Sequence, residues 1–293
     1  MTTATFPDSP EIPAYSALSE VSTSVPRGYM PQLDSLRWFA VLFVLWSHLG
    51  SGPLISGLGL NGIGVYGARL FFVLSGFLIS AILLEMRDGT AGVNQPRGPA
   101  LRAFYFKRFL RVVPAYYALV LILAAFDLVP GMREDMPWHL SFTSNWKIFA
   151  DNAFPAAIGS FWTLSVEATF YLLWPFVILL TPPRRLPVVL VATVVFAMVF
   201  RGVLAVAFES GSRVMVATFS SFDCLAIGSL LAWHFHTKAN ESGGRRAILR
   251  TCLAAGGLIL VAVAVMSFAY GRGFKIFAVI EPLGTALVFV WLV

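Results

Sequence analysis

The sequence predicts an all-α polytopic membrane protein, a bundle of about eight transmembrane helices. Hydrophobic residues make up 58% of the 293 positions, and charged residues make up only 12%. Soluble domains carry about 25% charged residues, so this chain cannot cover itself with a water-exposed surface. Its apolar residues come in runs of about 20, the length that a helix needs to cross a bilayer. No run alternates with a period of two, so a transmembrane barrel is not expected.

Eight apolar runs mark the predicted helices, at 33–53, 62–84, 112–130, 161–180, 188–208, 218–235, 251–270 and 276–293. The alternate connections on one side carry twelve Lys and Arg residues, and the connections on the other side carry five. Basic loops stay in the cytoplasm, so the N-terminus is predicted to be cytoplasmic and the chain to lie in the inner (plasma) membrane. The net charge is +6, but the basic residues lie between apolar runs and not on one soluble face, which argues against a nucleic-acid partner.

The remaining segments allow four further expectations. Residues 1–30 are polar and rich in Ser, Thr and Pro, and are predicted to be a disordered cytoplasmic tail before a transmembrane domain at 31–293. The last apolar run stops at Val293 without a polar flank, so a C-terminal part of the domain is expected to be missing. The aromatic-rich loop at about 131–160 is expected to cap a site from outside. Cys224 and Cys252 lie in or beside apolar runs and are predicted to be small hydrophobic residues, with no metal site.

The first apolar run contains ionisable residues, which are costly in a membrane and often functional. Arg37 and His48 are eleven positions apart, which places them on one helix face about 16 Å apart along the axis. Asp34 falls within about 40° of the same face, so one stripe is predicted to face the bundle interior. Arg37 alone would fit a snorkelling residue, and His48 alone would fit a helix–helix hydrogen bond. Their shared face favours a functional site in which His48 acts as a general base.

Two further segments place polar groups near the same bundle. Ser75 and the glycine after it lie in a Phe-Phe-Val-Leu-Ser-Gly-Phe run, which indicates close helix packing or, alternatively, a hydroxyl that points into a substrate channel. Lys107, Arg108 and Arg111 lie within about one helical turn, and the two arginines are i, i+3 neighbours. The cluster fits a topology signal, and it also fits a grip on phosphate oxygens.

A glutamate lies inside the fourth apolar run. Glu167 ends the segment Trp-Thr-Leu-Ser-Val-Glu, and it needs a cationic partner or a proton in that environment. His48 and Arg37 are the partners that the sequence suggests, and a purely structural ion pair is the alternative. Asp223 and Glu281 are further intramembrane acids with weaker functional signals.

These segments together resemble the membrane-bound acyltransferase family 3, the O-acyltransferases of polysaccharides and of macrolide antibiotics. The resemblance covers roughly residues 31–290 and rests on four motifs that occur in matching order. They are Leu-Asp-Ser-Leu-Arg at 33–37 with His48 following, Phe-Phe-x-x-Ser-Gly-Phe at 71–77, Arg-x-x-Arg at 108–111 leading to Pro114, and Trp-Thr-Leu-Ser-Val-Glu at 162–167.

The resemblance implies an acyl-CoA donor used from the cytoplasmic side and a hydroxyl acceptor, such as a carbohydrate, a glycolipid or a macrolide-like molecule. Acetyl is the acyl group that we expect. The family's essential arginine and histidine map onto Arg37 and His48. Its paired arginines and its tryptophan-to-glutamate motif map onto the residues Arg108, Arg111, Trp162 and Glu167.

The resulting hypothesis gives each predicted site residue a role. Lys107, Arg108 and Arg111 hold the phosphates of acyl-CoA, and His48 takes the proton of the acceptor hydroxyl. Arg37 stabilises donor charge or the developing oxyanion, and Glu167 orients the imidazole or binds the acceptor. Four further residues are assigned to substrate binding: Asp34, Ser75, Trp162 and Ser165.

Two alternatives remain open at the level of sequence. The acyl group passes to the acceptor directly, or it passes through a covalent acyl-histidine or acyl-serine intermediate. A proton-coupled secondary transporter that uses His48 and Glu167 is the alternative from another functional class. Such transporters usually contain two related halves with interrupted helices, and no such symmetry is found here.

Overall fold

The computed structural model describes residues 31–49, 63–89, 97–155, 158–208, 211–237, 242–270 and 276–292. The predicted tail at 1–30 and the end of the chain at Val293 lie outside these residues. The described helices are α1 (Pro31–Leu49), α2 (Ile63–Asp88), α3 (Arg97–Ala125), α4 (Met136–Leu140), α5 (Ser144–Asp151), α6 (Phe161–Leu180), α7 (Leu186–Ala207), α8 (Gly211–Val216), α9 (Phe222–Thr237), α10 (Ser242–Tyr270) and α11 (Ile276–Leu292), with a 3₁₀ turn at Thr218–Ser221.

The predicted all-α transmembrane bundle is confirmed, because helix is found in each of the eight apolar runs and the described residues contain no strand. Four of the described helices are long and apolar enough to cross a membrane, namely α2, most of α3, α6 and α7. Shorter apolar stretches lie in α10 and α11, at 250–263 and 280–290. Two helices begin earlier in the chain than predicted: α3 begins at Arg97 instead of 112, and α10 begins at Ser242 instead of 251. Hydropathy marks where a helix enters the membrane, whereas its backbone hydrogen bonds continue into the polar flank.

Helix α2 lies at the centre of the bundle, and α1, α6, α9 and α11 pack against it. An ideal Cβ built at Gly76 would overlap the backbone of Leu225 in α9, and one at Gly228 would overlap the backbone of Val73. The two helices therefore touch through their backbones, as the Ser-Gly pair of the second run predicted. Ser80 bonds Ser229 at 2.8 Å between these helices, which adds a polar link at the same contact.

The directions of the helices follow from their cross-contacts. Glycines at 76 and 228 mark the contact of α2 with α9, and farther along both helices Asp88 bonds His236 at 2.6 Å, so α2 and α9 are parallel. Ser75 contacts Glu167 and Ser80 contacts Trp174, so α6 runs in the same direction. The short helices α4, α5 and α8 lie where α6 and α9 begin, and we call this the capped end of the bundle. The opposite end is the basic end, where α2 ends and α3 begins.

Candidate functional site

The side chain of Glu167 projects from α6 against α2 and carries two hydrogen bonds. Ser75 donates its hydroxyl to Oε1 at 2.7 Å, and Tyr171 donates its hydroxyl to Oε2 at 2.9 Å. Hydroxyl groups of two neighbouring residues therefore hold both oxygens of the carboxyl group in place. The hydroxyl of Ser75 therefore faces a polar site, while Gly76 beside it provides the close helix packing. The packing interpretation of the Ser-Gly pair is confirmed at Gly76, and a substrate-facing role of the Ser75 hydroxyl stays a prediction.

A cavity of about 280 Å³ opens between α3 and α6, and Glu167 lies on its wall. Arg108 lies on the opposite wall, with its guanidinium carbon 5.7 Å from the ring centroid of Tyr171 and 5.8 Å from that of Phe104. Such cation–π contacts hold a guanidinium in place while its N–H groups remain directed at a ligand. Phe142 of the long loop also lines the cavity, as the predicted capping role requires.

The basic residues of α3 differ in their environment. Arg108 is half-buried, whereas Lys107 and Arg111 are exposed. Arg108 and Arg111 are i, i+3 neighbours and both lie within electrostatic range of Glu167, although only Arg108 lines the cavity. A positively charged cavity mouth with a carboxylate deeper inside fits a ligand that carries phosphate at one end and a reactive polar group at the other.

Helix α1 brings Arg37 to this region but leaves His48 at another depth. Arg37 pairs with Asp34 at 3.3 Å and interacts electrostatically with Arg108 across the gap between α1 and α3. Ala40 is the fully buried centre of the α1 face that packs on α2, and helical geometry places Arg37 and His48 on its flank, about 60–80° away. The predicted stripe exists, but it faces the edge of the bundle and not its interior, since His48 is exposed.

The expected pairing of Glu167 with His48 is wrong. The backbone of Gly64 lies against Ser47, the neighbour of His48, whereas Glu167 bonds Ser75, eleven residues farther along α2. Eleven residues of α-helix span about 16 Å, so the imidazole lies at the capped end and the carboxylate lies deeper in the bundle, beside the middle of α2. Glu167 therefore cannot orient the imidazole of His48 by direct contact.

The hydrogen bond of His48 defines which of its ring nitrogens is basic. Nδ1 lies 2.8 Å from the carbonyl oxygen of Val44 one turn earlier. A carbonyl oxygen only accepts, so Nδ1 carries the hydrogen and Nε2 of the neutral ring holds the lone pair. This tautomer is the one that a general base at Nε2 requires.

The two remaining predicted residues of α6 do not line the cavity of Glu167. Ser165 is fully buried, and its hydroxyl donates to the carbonyl of Phe161 in its own helix at 3.2 Å. Trp162 packs against Phe72 with ring centroids 5.7 Å apart and lines a second cavity at the capped end. Of the four predicted substrate-binding residues, Ser75 therefore contacts Glu167 and Trp162 lines the second cavity, whereas Ser165 and Asp34 line neither cavity.

Tyr171 and Arg69 are polar groups of these cavities that the sequence analysis missed. Tyr171 lies four residues after Glu167, and this i, i+4 spacing alone would have indicated the contact. Arg69 lies inside the second apolar run, where an ionisable residue is itself a functional signal. Its partner is Glu281, at 2.5 Å between Nη1 and Oε1 and 3.2 Å between Nη2 and Oε2. A partner 212 positions away in the chain is not visible from sequence spacing.

Cys224 and Cys252 are free thiols, the first buried and the second half-buried, as predicted. In the part of the chain that the structure describes, no three His, Cys, Asp or Glu side chains come together in a way that would hold a metal ion.

Comparison with known proteins supports the resemblance of the four motifs. The peptidoglycan O-acetyltransferase OatA of Listeria monocytogenes is 28% identical over 236 residues, which cover 73% of this chain and 36% of that protein. The putative peptidoglycan O-acetyltransferase YrhL of Bacillus subtilis is 31% identical over 222 residues, covering 70% and 33% respectively. The O-acetyltransferase OatA of Staphylococcus aureus is 30% identical over 224 residues, covering 71% and 35%.

The chain thus spans about a third of the length of these relatives. No solved structure matches the chain. The model of one sequence family, described as an acyltransferase domain, matches residues 30–293, which is nearly the whole chain. The predicted family is therefore confirmed: the chain belongs to acyltransferase family 3.

Proposed function

We propose that this protein is an integral membrane O-acyltransferase that moves an acetyl group from acetyl-CoA to a hydroxyl group of a carbohydrate. The observation that carries the proposal is the cavity between α3 and α6, in which Arg108 and the doubly hydrogen-bonded Glu167 share one space. Membership of an acyltransferase family and the similarity to O-acetyltransferases support the same reaction.

The basic residues of α3 bind the donor in this proposal. Arg108 and Arg111 meet the phosphates of CoA by charge-assisted hydrogen bonds, and Lys107 adds positive charge at the exposed rim. The cavity extends from Tyr105, toward the basic end, to Phe142, at the capped end. The flexible arm of CoA lies along it and carries the thioester toward the capped end.

The acceptor hydroxyl gives its proton to Nε2 of His48 and attacks the thioester carbonyl carbon. The new C–O bond forms as the C–S bond breaks, and the imidazolium returns the proton to the CoA thiolate. General-base assistance of this kind contributes about 10²–10⁴-fold in rate. The tautomer that the Val44 carbonyl imposes on His48 leaves Nε2 as the accepting nitrogen throughout.

Glu167 and Arg37 act on the donor side of the reaction. Glu167 lies about 16 Å from His48 along the helix axis, so it positions Arg108, Ser75 or the arm of CoA and not the imidazole. Arg37 lies within the electrostatic range of Arg108 and adds charge for the donor. The transporter alternative would need water molecules or further side chains to carry a proton between His48 and Glu167, because they lie at different depths.

The test is acceptor-dependent release of CoA thiol from acetyl-CoA by the protein in membranes. The wild type is expected to release thiol faster when an N-acetylglucosamine oligosaccharide is added, and His48→Ala is expected to lose at least about 100-fold of this rate. Leu45→Ala is the matched control, because it removes an exposed side chain one turn away in the same helix. Its rate should stay within about twofold of the wild type.

The outcomes separate the parts of the proposal. Equal rates for the wild type and His48→Ala at equal abundance would remove His48 from the mechanism. Absence of thioester consumption with several acyl donors and acceptors would reject the proposed reaction. Transport of a sugar into proteoliposomes without thiol release would instead support the transporter. An acyl group that stays on denatured protein after a single turnover would indicate the covalent route.

A further inference from the structure

A second cavity at the capped end is separate from the cavity of Glu167. It has a volume of about 200 Å³ and lies where α2, α6, α9 and α11 begin. Its lining combines two ion pairs, the ring of Trp162, the 3₁₀ turn at Thr218–Ser221 and the exposed Gly211 at its rim. A volume of this size holds about six water molecules or one sugar ring.

The charges of this cavity cancel. Arg69 forms a bidentate pair with Glu281, and Arg201 forms a buried ion pair with Asp223. Two cations and two anions leave no net charge to attract a phosphate or an ammonium group. A guanidinium donates hydrogen bonds and a carboxylate accepts them, so Arg69 and Glu281 side by side match hydroxyl groups, which do both.

One residue that lines the cavity has a hydroxyl group without a hydrogen-bond partner in the described part of the protein. Ser220 is only 4% exposed, and its Oγ has no hydrogen-bond partner among the described residues. Arg201 holds the turn at this position by donating to the carbonyl of Ser220 from Nε at 3.1 Å and from Nη2 at 2.5 Å. Buried hydroxyl groups are nearly always paired, so a fixed and unpaired one indicates a water or ligand partner.

The cavity lies at the same end of the bundle as His48. Gly64 packs against Ser47, next to His48, and Arg69 lies five residues farther along α2, or about 7.5 Å along the axis. Arg69 projects from the side of α2 away from α1, so α2 separates the cavity from the imidazole laterally. A single sugar cannot occupy both places, but an oligosaccharide lying across the capped end can.

We infer that this cavity is a subsite for one sugar residue of a glycan acceptor, flanking the residue that is acylated. Arg69, Glu281 and Ser220 bond its hydroxyl groups, and Trp162 packs against the apolar face of its ring. The inference rests on the proposed function for the identity of the acceptor. It adds that the acceptor is a polymer of neutral sugars and that recognition extends beyond the reacting hydroxyl.

The test uses a substitution that adds bulk beside the cavity without disturbing the fold. A Cβ added at Gly211 meets no heavy atom within 4 Å, so Gly211→Phe fits the backbone and adds a large ring next to the cavity that Gly211 lines. Gly257→Phe is the matched control, because its Cβ is equally unobstructed and it does not line the cavity. Ser220→Ala removes only the unpaired hydroxyl.

Binding of a fluorescent N-acetylglucosamine tetrasaccharide to the purified protein is measured first, without donor, followed by KM values for the tetrasaccharide and acetyl-CoA. Gly211→Phe is expected to weaken binding and raise the tetrasaccharide KM by more than about tenfold, with the KM of acetyl-CoA unchanged. Ser220→Ala should weaken binding by roughly two- to tenfold, which is the contribution to affinity expected of one neutral hydrogen bond. Gly257→Phe should change neither quantity.

The binding measurement keeps the inference distinct from the proposed reaction. Tetrasaccharide binding that is lost in Gly211→Phe supports the subsite even if no thioester is consumed, in which case the proposed function alone fails. Wild-type protein that does not bind the tetrasaccharide, or binding that Gly211→Phe leaves intact, would overturn the subsite. An equal rise in the KM of acetyl-CoA would also overturn it, because the cavity would then serve the donor.

Discussion

Removing the hydroxyl of Tyr171 tests whether the carboxylate of Glu167 is held in place for the reaction. In Tyr171→Phe the ring remains, so its cation–π contact with Arg108 is kept and only the 2.9 Å hydrogen bond to Oε2 is lost. Hydrogen bonds to charged groups contribute about 1.5–3 kcal/mol, and here the acceptor has only one other donor among the described residues, Ser75. If this bond is needed in the transition state, kcat/KM falls by about 10- to 100-fold.

The assay is acceptor-dependent thiol release, with the amount of folded protein measured in parallel. Tyr117→Phe is the control, because it also removes one tyrosine hydroxyl bond, the 2.6 Å bond to the carbonyl of Leu140, away from the cavity. The control should keep kcat/KM within about twofold of the wild type. Ser75→Ala acts on the same carboxylate, so its effect should not add to that of Tyr171→Phe. A value for Tyr171→Phe within twofold of the wild type would refute the assigned role of Glu167.

Three further predictions concern the frame around the site. Gly76→Ala should destabilise the protein by about 1–3 kcal/mol because its Cβ would overlap α9, whereas Gly257→Ala, with open space, should stabilise it by about 0.5–1 kcal/mol. Unfolding in detergent measures both free energies, and equal changes in the two variants would contradict the close contact at Gly76. Arg201→Met should cost about 3–5 kcal/mol because Asp223 is left buried and unpaired, and adding Asp223→Leu should recover much of this loss. No recovery would mean that the ion pair is needed for more than charge balance. Burial lowers the pKa of His139 in the capping loop, so the folded state resists protonation and stability should fall as the pH drops below about 6.5. The melting temperature measured from about pH 7.5 to 5.5 should show this loss in the wild type and less of it in His139→Asn, while parallel curves would assign the loss to other groups.

The sequence by itself determined the helices, the membrane environment and the family. Apolar runs of about 20 residues are a local property, and the free energy of burying them in a bilayer does not depend on which helices become neighbours. The shared face of Arg37 and His48 is equally local, because one helix fixes the angle between them. The cluster at Lys107, Arg108 and Arg111 and the unusual glutamate at 167 were visible for the same reason.

Only the tertiary structure decided which polar groups meet. The depth of His48 relative to Glu167 is set by the axial register between α1 and α2. This register depends on contacts such as that of Gly64 with Ser47. No spacing within α1 or α6 encodes that register, so the sequence suggested a pairing that the structure rejects. The bond of Glu167 to Ser75 joins residues 92 positions apart.

The capped-end cavity shows the same limit. The ion pair of Arg69 with Glu281 joins residues 212 positions apart, and each of them alone is an isolated charge in an apolar run. The cost of burying such a charge predicts that a partner exists, but it does not say which helix supplies it. The packing of four helix ends around one space made that choice and, with it, formed the cavity that we assign to the acceptor.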